Sequence, residues 1–280
     1  MKQHTLLSAY TFSGKGLHTG KPVTMTLLPA PDDHGIVFQR TDLGDGAFVR
    51  AEVDRVANTR RSTGLVENGI AVRTPEHLLA ALRCLGVDNV LVRLDAAEVP
   101  ILDGSALPYV TGLREAGLAE QRADRRYRVV KRHAEYEDPR SGARITVDPC
   151  SELIVDVMVD FKSPMVGVQK AVYDATVDFA SQIAPCRTFC FYREIALLRL
   201  FGLIKGGSLD NALVIDDRRR RYAGGRQPLF ENEPARHKLL DLLGDFALAG
   251  LPVQGRITAY KPGHRVNTQA LKHFITESIL

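Results

Sequence analysis

Apolar side chains fall on every second residue in PVTMTLL (22–28), the period of a half-buried strand, after a Gly-rich stretch. IVFQR (36–40) and AEVDRVA (51–57) read as further short strands, and NVLVRLD (89–95) as another. Between them the period changes. In TPEHLLAALRCLG (74–86), Leu78, Leu79, Leu82 and Leu85 supply one buried stripe of a helix. Thr74 serves as its N-cap, Pro75 fits the first helical position and Gly86 ends it. The turn PILDGSA leads into a second helix over roughly 105–116.

Residues 119–128, AEQRADRRYR, are polar and without an apolar period, which reads as a linker. Strand patterns resume in RYRVVKR, ARITVDP and ELIVDVMVDF. YDATVDFASQIAPCRTFCF reads as a helix running into a turn, and REIALLRLFGL as a helix ending at Gly202. KGGSLDNALVID gives a turn and a strand. The longest helix pattern spans 233–249, opening at Asn232 or Glu233 with Pro234 in its first turn and Gly250 after it. GRITAYKPGH reads as a strand and a turn, followed by a short closing helix. Strands and helices interleave in both halves without regular alternation. That predicts an α+β protein of two domains, 1–120 and 127–280, with no internal repeat visible in the residues themselves.

Composition narrows the class. The chain has 280 residues, 45% apolar and 25% charged, which is ordinary for a globular protein with room for a core. Lys and Arg number 37 against 33 Asp and Glu, an excess of four that suits an anionic ligand. It falls short of a dedicated nucleic-acid binder, so no nucleic-acid partner is expected. Cys84, Cys150, Cys186 and Cys190 form no CxxC pair and read as free thiols of a reducing compartment. The first sixteen residues carry no apolar stretch long enough for a secretory signal, and no run reaches a membrane span. A cytoplasmic protein without stable membrane insertion is the expectation, with a monomer as its form.

Four local signals carry chemistry. His237 and Asp241 stand at i and i+4, on one helix face with Cβ atoms about 6 Å apart, so an imidazole and a carboxylate can share a cation. A surface ion pair reads equally from this spacing alone. Asp245 extends the stripe into an otherwise apolar helix, where polar groups need partners. Glu76-His77 opens the earlier helix. An acid beside a ligating histidine can act as general base on an activated water, whereas the plain alternative is a carboxylate complementing the helix dipole. His264 follows a Pro-Gly turn, placed either to enter a site or to sit in solvent. CRTFCF (186–191) holds two unreactive thiols flanking Thr188, whose hydroxyl could meet a developing oxyanion. Two histidines and one aspartate have the composition of a catalytic Zn²⁺ site with one open position, and the same donors accept Fe²⁺. A phosphoester hydrolase is the competing enzyme reading, although two-metal sites need more clustered carboxylates. Arg218–Arg221 reads as a solvated loop, Arg60-Arg61 stays open, and His18 reads as a turn or cleft-lining residue.

These motifs occur together in one family. SGKGLHTGKPV (13–23), TPEHLLAAL (74–82), DNVLVRLD (88–95), EVPILDGSA (98–106), CRTFCF (186–191), GLIKGGSLDNALVID (202–216), RHKLLDLLGD (236–245) and AYKPGH (259–264) are collinear with it. The chain resembles the UDP-3-O-acyl-N-acetylglucosamine deacetylases, zinc amidases of lipid A synthesis in Gram-negative bacteria. The resemblance implies two similar domains, each a small sheet with two helices and one insert, and an active site at their junction. It implies a UDP-linked acylated glucosamine as substrate, one Zn²⁺ per chain and release of acetate. By resemblance His77, His237 and Asp241 hold the metal, Glu76 is the general base, and His264 is the acid that protonates the leaving amine. Thr188 matches the oxyanion donor, Lys238 a lysine beside the metal, and Asp245 the carboxylate that orients His264. Phe189, Phe191, Ile195 and Gly207 fall where the family lines its cleft and the acyl passage of an insert at about 189–210. Lys261 matches a lysine near the diphosphate. Cys190 stands where many members have Gly and would narrow the passage. The dehydratase domain that some members append is not expected.

Overall fold

Val23, Met25 and Leu27 turn one face of the strand Pro22–Pro29 into the core, as the two-residue period requires. In the computed structural model, which describes residues 1–280, this strand is second in a five-stranded sheet. The order is Tyr10–Lys15, Pro22–Pro29, Val90–Leu94, Ile36–Arg40, Phe48–Arg50. All pairings are antiparallel except the one between Val90–Leu94 and Ile36–Arg40, where Phe38 stands opposite Val92 in parallel register. A second sheet runs Ala134–Glu137, Arg144–Asp148, Val253–Tyr260, Leu153–Asp160, Val168–Tyr173, with Arg128–Val129 also pairing with Val253–Tyr260. Among its five principal strands the one parallel pair places Val155 opposite Ile257. Counted in chain order, both sheets follow first, second, fifth, third, fourth. The halves thus share one topology that their residues do not display, because a fold repeats when pattern and connection order repeat.

Six α-helices accompany the sheets: α1 (Glu76–Cys84), α2 (Leu107–Ala116), α3 (Phe179–Gln182), α4 (Ile195–Leu200), α5 (Glu233–Phe246) and α6 (His264–Thr276). α1 and α5 each precede the fifth strand of their half, and α2 and α6 each follow it. Three-stranded sheets stand before both α1 (Val56–Asn58, Gly64–Glu67, Ile70–Arg73) and α5 (Phe189–Phe191, Leu213–Asp216, Arg221–Tyr222). The fold is therefore α+β.

The equivalent helices α1 and α5 meet. Leu78, Leu79 and Leu82 from one and Leu239, Leu240 and Leu242 from the other are fully buried in a single core that runs through both halves. They are in tight backbone contact at Gly244, where a Cβ would lie 2.0 Å from the carbonyl oxygen of Glu76. Backbone cannot yield as a flexible side chain can. Gly244→Ala is therefore expected to cost about 1–3 kcal/mol of stability and to displace the first turn of α1. A thermal melt and an activity assay check this; an unchanged Tm would contradict the close contact.

Several local expectations are corrected. The stretch read as a linker forms the strand Leu118–Asp124, antiparallel to Lys2–Leu6. Its inward positions are small or polar: the Gln121 amide donates to Ala30 O (2.9 Å) and its carbonyl accepts from Asn89 (2.7 Å), so no apolar period marks it. AEVDRVA holds the 3₁₀ turn Val53–Arg55 before the strand Val56–Asn58. The helix read across 173–191 is confined to α3, and the closing helix α6 is 13 residues long. Thr74 does not cap α1. It adopts φ 56°, unusual for a β-branched residue, and its hydroxyl donates to Glu98 Oε1 (3.1 Å) while its N–H donates to Thr63 O (2.9 Å). That tight entry delivers Glu76 and His77 to the junction of the halves.

Candidate active site

The first turn of α1 and the first nine residues of α5 bring together groups 160 or more residues apart in the chain. His77 Nε2 lies 3.4 Å and His237 Nε2 3.5 Å from the same oxygen, Asp241 Oδ1. The three donor atoms all lie within 4.8 Å of one another, and all three side chains are buried. Tetrahedral ligands about 2.0–2.1 Å from a Zn²⁺ ion stand about 3.3 Å apart, so the set fits one such ion. The tautomer of His237 fits too. His237 Nδ1 faces the Cys186 carbonyl at 3.1 Å, so Nδ1 carries the proton and the Nε2 lone pair faces the cluster. Burial pushes the His237 pKa down to about 3, keeping the ring neutral. Burial alone would raise Asp241, yet the Lys238 ammonium, donating to Oδ2 at 2.6 Å, and neighbouring histidines hold its pKa well below the usual range. No other cluster of three or more His, Cys, Asp or Glu donors has such proximity.

A second constellation borders the first. His264 is the first residue of α6, not a loop residue, and its Nδ1 faces Asp245 Oδ2 at 3.0 Å. Its Nε2 points back to the cluster, 3.8 Å from Glu76 Oε1 and 3.9 Å from Asp241 Oδ2. Asp245 is fully buried and held on both oxygens, by Thr63 Oγ1 (2.5 Å) and Asn267 Nδ2 (2.8 Å). Asn267 also accepts from the Gly263 N–H at 3.1 Å, fixing the turn that aims His264. Burial pushes the Glu76 carboxyl up to about 7, against the opposing pull of His264 and His77. Burial disfavours the charged His264 ring, but the carboxylates of Asp245, Asp241 and Glu76 outweigh it and raise the pKa to about 9. A base of raised pKa and an imidazolium thus face each other across one donor cluster, the separation of roles that acid–base chemistry needs.

The surrounding cleft, about 330 Å³, is lined by these residues with Thr188, Phe189, Lys238 and Arg61. Thr188 and Phe189 also line an adjoining pocket of about 160 Å³ with apolar walls from Ile195, Leu198, Ile204 and Val214. Gly207 and Cys190 line it as well. The structure thus brings Phe189, Ile195 and Gly207 to one passage, but not Phe191. Opposite Ile215 in the strand pairing, Phe191 packs with Val166 and Ile215, with Phe161 5.7 Å away and the Arg193 guanidinium 4.8 Å from its ring. Lys261 lies on the turn just before the cleft-lining Gly263 and His264, and its ammonium pairs with Asp160 Oδ2 at 2.9 Å. His18 lines the passage, buried, with no hydrogen-bond partner at Nε2 and a backbone N–H that donates to Glu98 Oε1 at 2.8 Å. Cys186 and Cys190 are free, their thiols pushed up to about 12 and about 11 by burial. Sequence reasoning missed Thr63, Asn267 and the Cys186 carbonyl. Of these only Asn267 left a trace, as a polar residue one turn beyond His264 on the buried face of α6.

The family model described as UDP-3-O-acyl N-acetylglycosamine deacetylase matches residues 3–276. The "Bifunctional enzyme LpxC/FabZ" of Porphyromonas gingivalis is 43% identical over 96% of this chain and 63% of that protein. The "UDP-3-O-acyl-N-acetylglucosamine deacetylase" of Anaeromyxobacter sp. is 44% identical over 98% of this chain and 89% of its own length. That of Thioalkalivibrio sulfidiphilus is 41% identical over 99% of this chain and 91% of its own length. The chain therefore spans less than two thirds of the bifunctional relative and most of the single-function ones.

Proposed function

Because this chain belongs to the UDP-3-O-acyl N-acetylglycosamine deacetylase family, we propose that it hydrolyses the acetamide of UDP-3-O-((R)-3-hydroxyacyl)-N-acetylglucosamine. The products are acetate and the free amine, in lipid A biosynthesis. One observation carries the reading: Glu76 and His264 flank a buried three-donor cluster from two helices that the shared topology juxtaposes. We assign Zn²⁺ to His77, His237 and Asp241; when bound, it would supply Lewis acidity toward the amide carbonyl and acidify a water. No helix is long and apolar enough to cross a membrane, and we assign the reaction to the cytoplasm.

An acetamide is a poor electrophile with a poor leaving group, so three tasks remain for the protein. Glu76 takes the proton of the attacking water. Its raised pKa makes it a stronger base than an ordinary carboxylate while it still ionises near neutrality. His264, held charged and oriented by Asp245, delivers a proton to the departing nitrogen. Thr188, at the junction of cleft and passage, offers its hydroxyl to the oxygen that gains charge. Lys238 neutralises the second oxygen of Asp241 and so keeps that carboxylate ionised and aimed. The apolar passage bounded by Phe189, Ile195 and Gly207 suits the acyl chain, and Cys190 on its wall limits the width.

The test is acetate release from the purified chain, followed against pH. The rate requires ionised Glu76 and protonated His264. It should rise as pH passes through the Glu76 range near 7 and fall as pH passes through the His264 range near 9. With a divalent cation bound, both limbs move to lower pH in the same order. His264→Ala should remove the alkaline limb and lower kcat/KM by about 10²–10⁴. A flat alkaline profile in the wild type would remove His264 from its assigned role. Release of phosphate in place of acetate would overturn the reading as a whole.

A further inference from the structure

α4 has two apolar faces. Ile195 and Leu198 turn inward and line the passage. Leu197, Leu200 and the following Phe201 turn outward, with 55%, 80% and 53% of their surface exposed. Tyr192 just before the helix and Leu209 beyond it are exposed as well. Isolated exposed leucines are commonplace, but a helix presenting adjacent large apolar side chains beside a cavity mouth marks an interaction surface.

Charge identifies what the surface meets. Residues 189–226 hold eight Lys and Arg against four Asp and Glu, an excess of four. That equals the formal net charge of the whole chain, so the remainder is balanced. Arg199 is exposed on α4, and the Arg60 guanidinium sits 4.4 Å from the centre of the Phe201 ring. The exposed run Arg218–Arg221 is tied to the start of this segment, because Arg193 reaches Asp217 at 3.3 Å. A second copy of this chain would set like charge against like. An anionic lipid surface meets both features at once, since cations are drawn to the headgroups while the apolar side chains enter the acyl boundary.

We propose that the outer face of α4, centred on Leu197, Leu200 and Phe201, together with the exposed cations of the same segment, Arg193, Arg199, Lys205 and Arg218–Arg221, docks reversibly on an anionic phospholipid membrane. The inference stands on this face and its charge and does not depend on the amidase reading. Docking would turn the helix whose inner side lines the passage toward the bilayer.

Flotation of the full chain with lipid vesicles tests it. At low salt the protein should bind equimolar phosphatidylcholine–phosphatidylglycerol vesicles about tenfold or more better than phosphatidylcholine alone, and high salt should release it. Leu197→Gln with Leu200→Gln should weaken anionic-vesicle binding about tenfold, and so should Arg219→Glu with Arg220→Glu. Leu7→Gln, at an exposed leucine outside this segment, should leave binding unchanged. Acetate release without vesicles, measured on a water-soluble short-chain substrate, should match the wild type in the leucine variant, which also shows that it is folded. Failure to float with anionic vesicles, equal binding to neutral ones, or a dimer in sedimentation that the leucine variant dissolves would each overturn the proposal.

Discussion

Glu76→Gln is expected to lower kcat by about 10²–10⁴ while leaving KM, fold and metal content close to wild type. The substitution keeps shape and one acceptor. Thr63 N–H, which donates to Glu76 Oε2 at 3.3 Å, would retain an oxygen to bond. It removes only the ability to take a proton. Steady-state kinetics across pH separate this from a packing defect: the acidic limb should disappear in the variant, whereas a structural fault would scale the whole profile. Loss of less than tenfold would show that another group removes the proton from water.

Asp241→Ala should have an effect at least as large, by a different route. Asp241 Oδ1 is the common point of the His77 and His237 contacts, and Oδ2 receives Lys238. Without the carboxylate, two imidazoles face a lysine ammonium, and the divalent ion loses its one charged ligand. Metal content should drop to background, and acetate release should fall by about three orders of magnitude or more. The fold should survive, since Leu239, Leu240 and Leu242 hold α5 in the core. A variant that keeps a full equivalent of metal would contradict the assignment of this residue.

Much of the site was legible because it is local. The helical period of 74–86 and 233–249 and the i, i+4 spacing of His237 and Asp241 are properties of short segments, and the structure forms a helix in each, although α1 starts at Glu76 with Pro75, not Thr74, at its N-cap and α5 gives way to a 3₁₀ turn after Phe246. Asp245 was visible as a charge in an apolar stripe, which a helix tolerates only with partners. The partners themselves were not visible. Thr63 comes from a loop 182 residues away, between the strands Val56–Asn58 and Gly64–Glu67, and nothing in its neighbourhood marks it as a partner of a buried carboxylate. The topology common to both halves was hidden because strand order depends on pairing across the chain. The strand Leu118–Asp124 escaped because polar side chains satisfied by hydrogen bonds replace the usual apolar period. Phe191 and Lys261 were assigned by resemblance. Phe191 packs with Val166 and Ile215, contacts that resemblance does not encode, and Lys261 pairs with Asp160 beside the turn that leads to His264.

Zinc titration of metal-stripped wild-type protein, with acetate release followed at every addition, tests the central claim most directly. Stripping should abolish acetate release, and activity should return linearly with an endpoint at one equivalent per chain. Full deacetylation by metal-free protein, or restored activity in His237→Ala at the same endpoint, would contradict a single catalytic ion held by His77, His237 and Asp241.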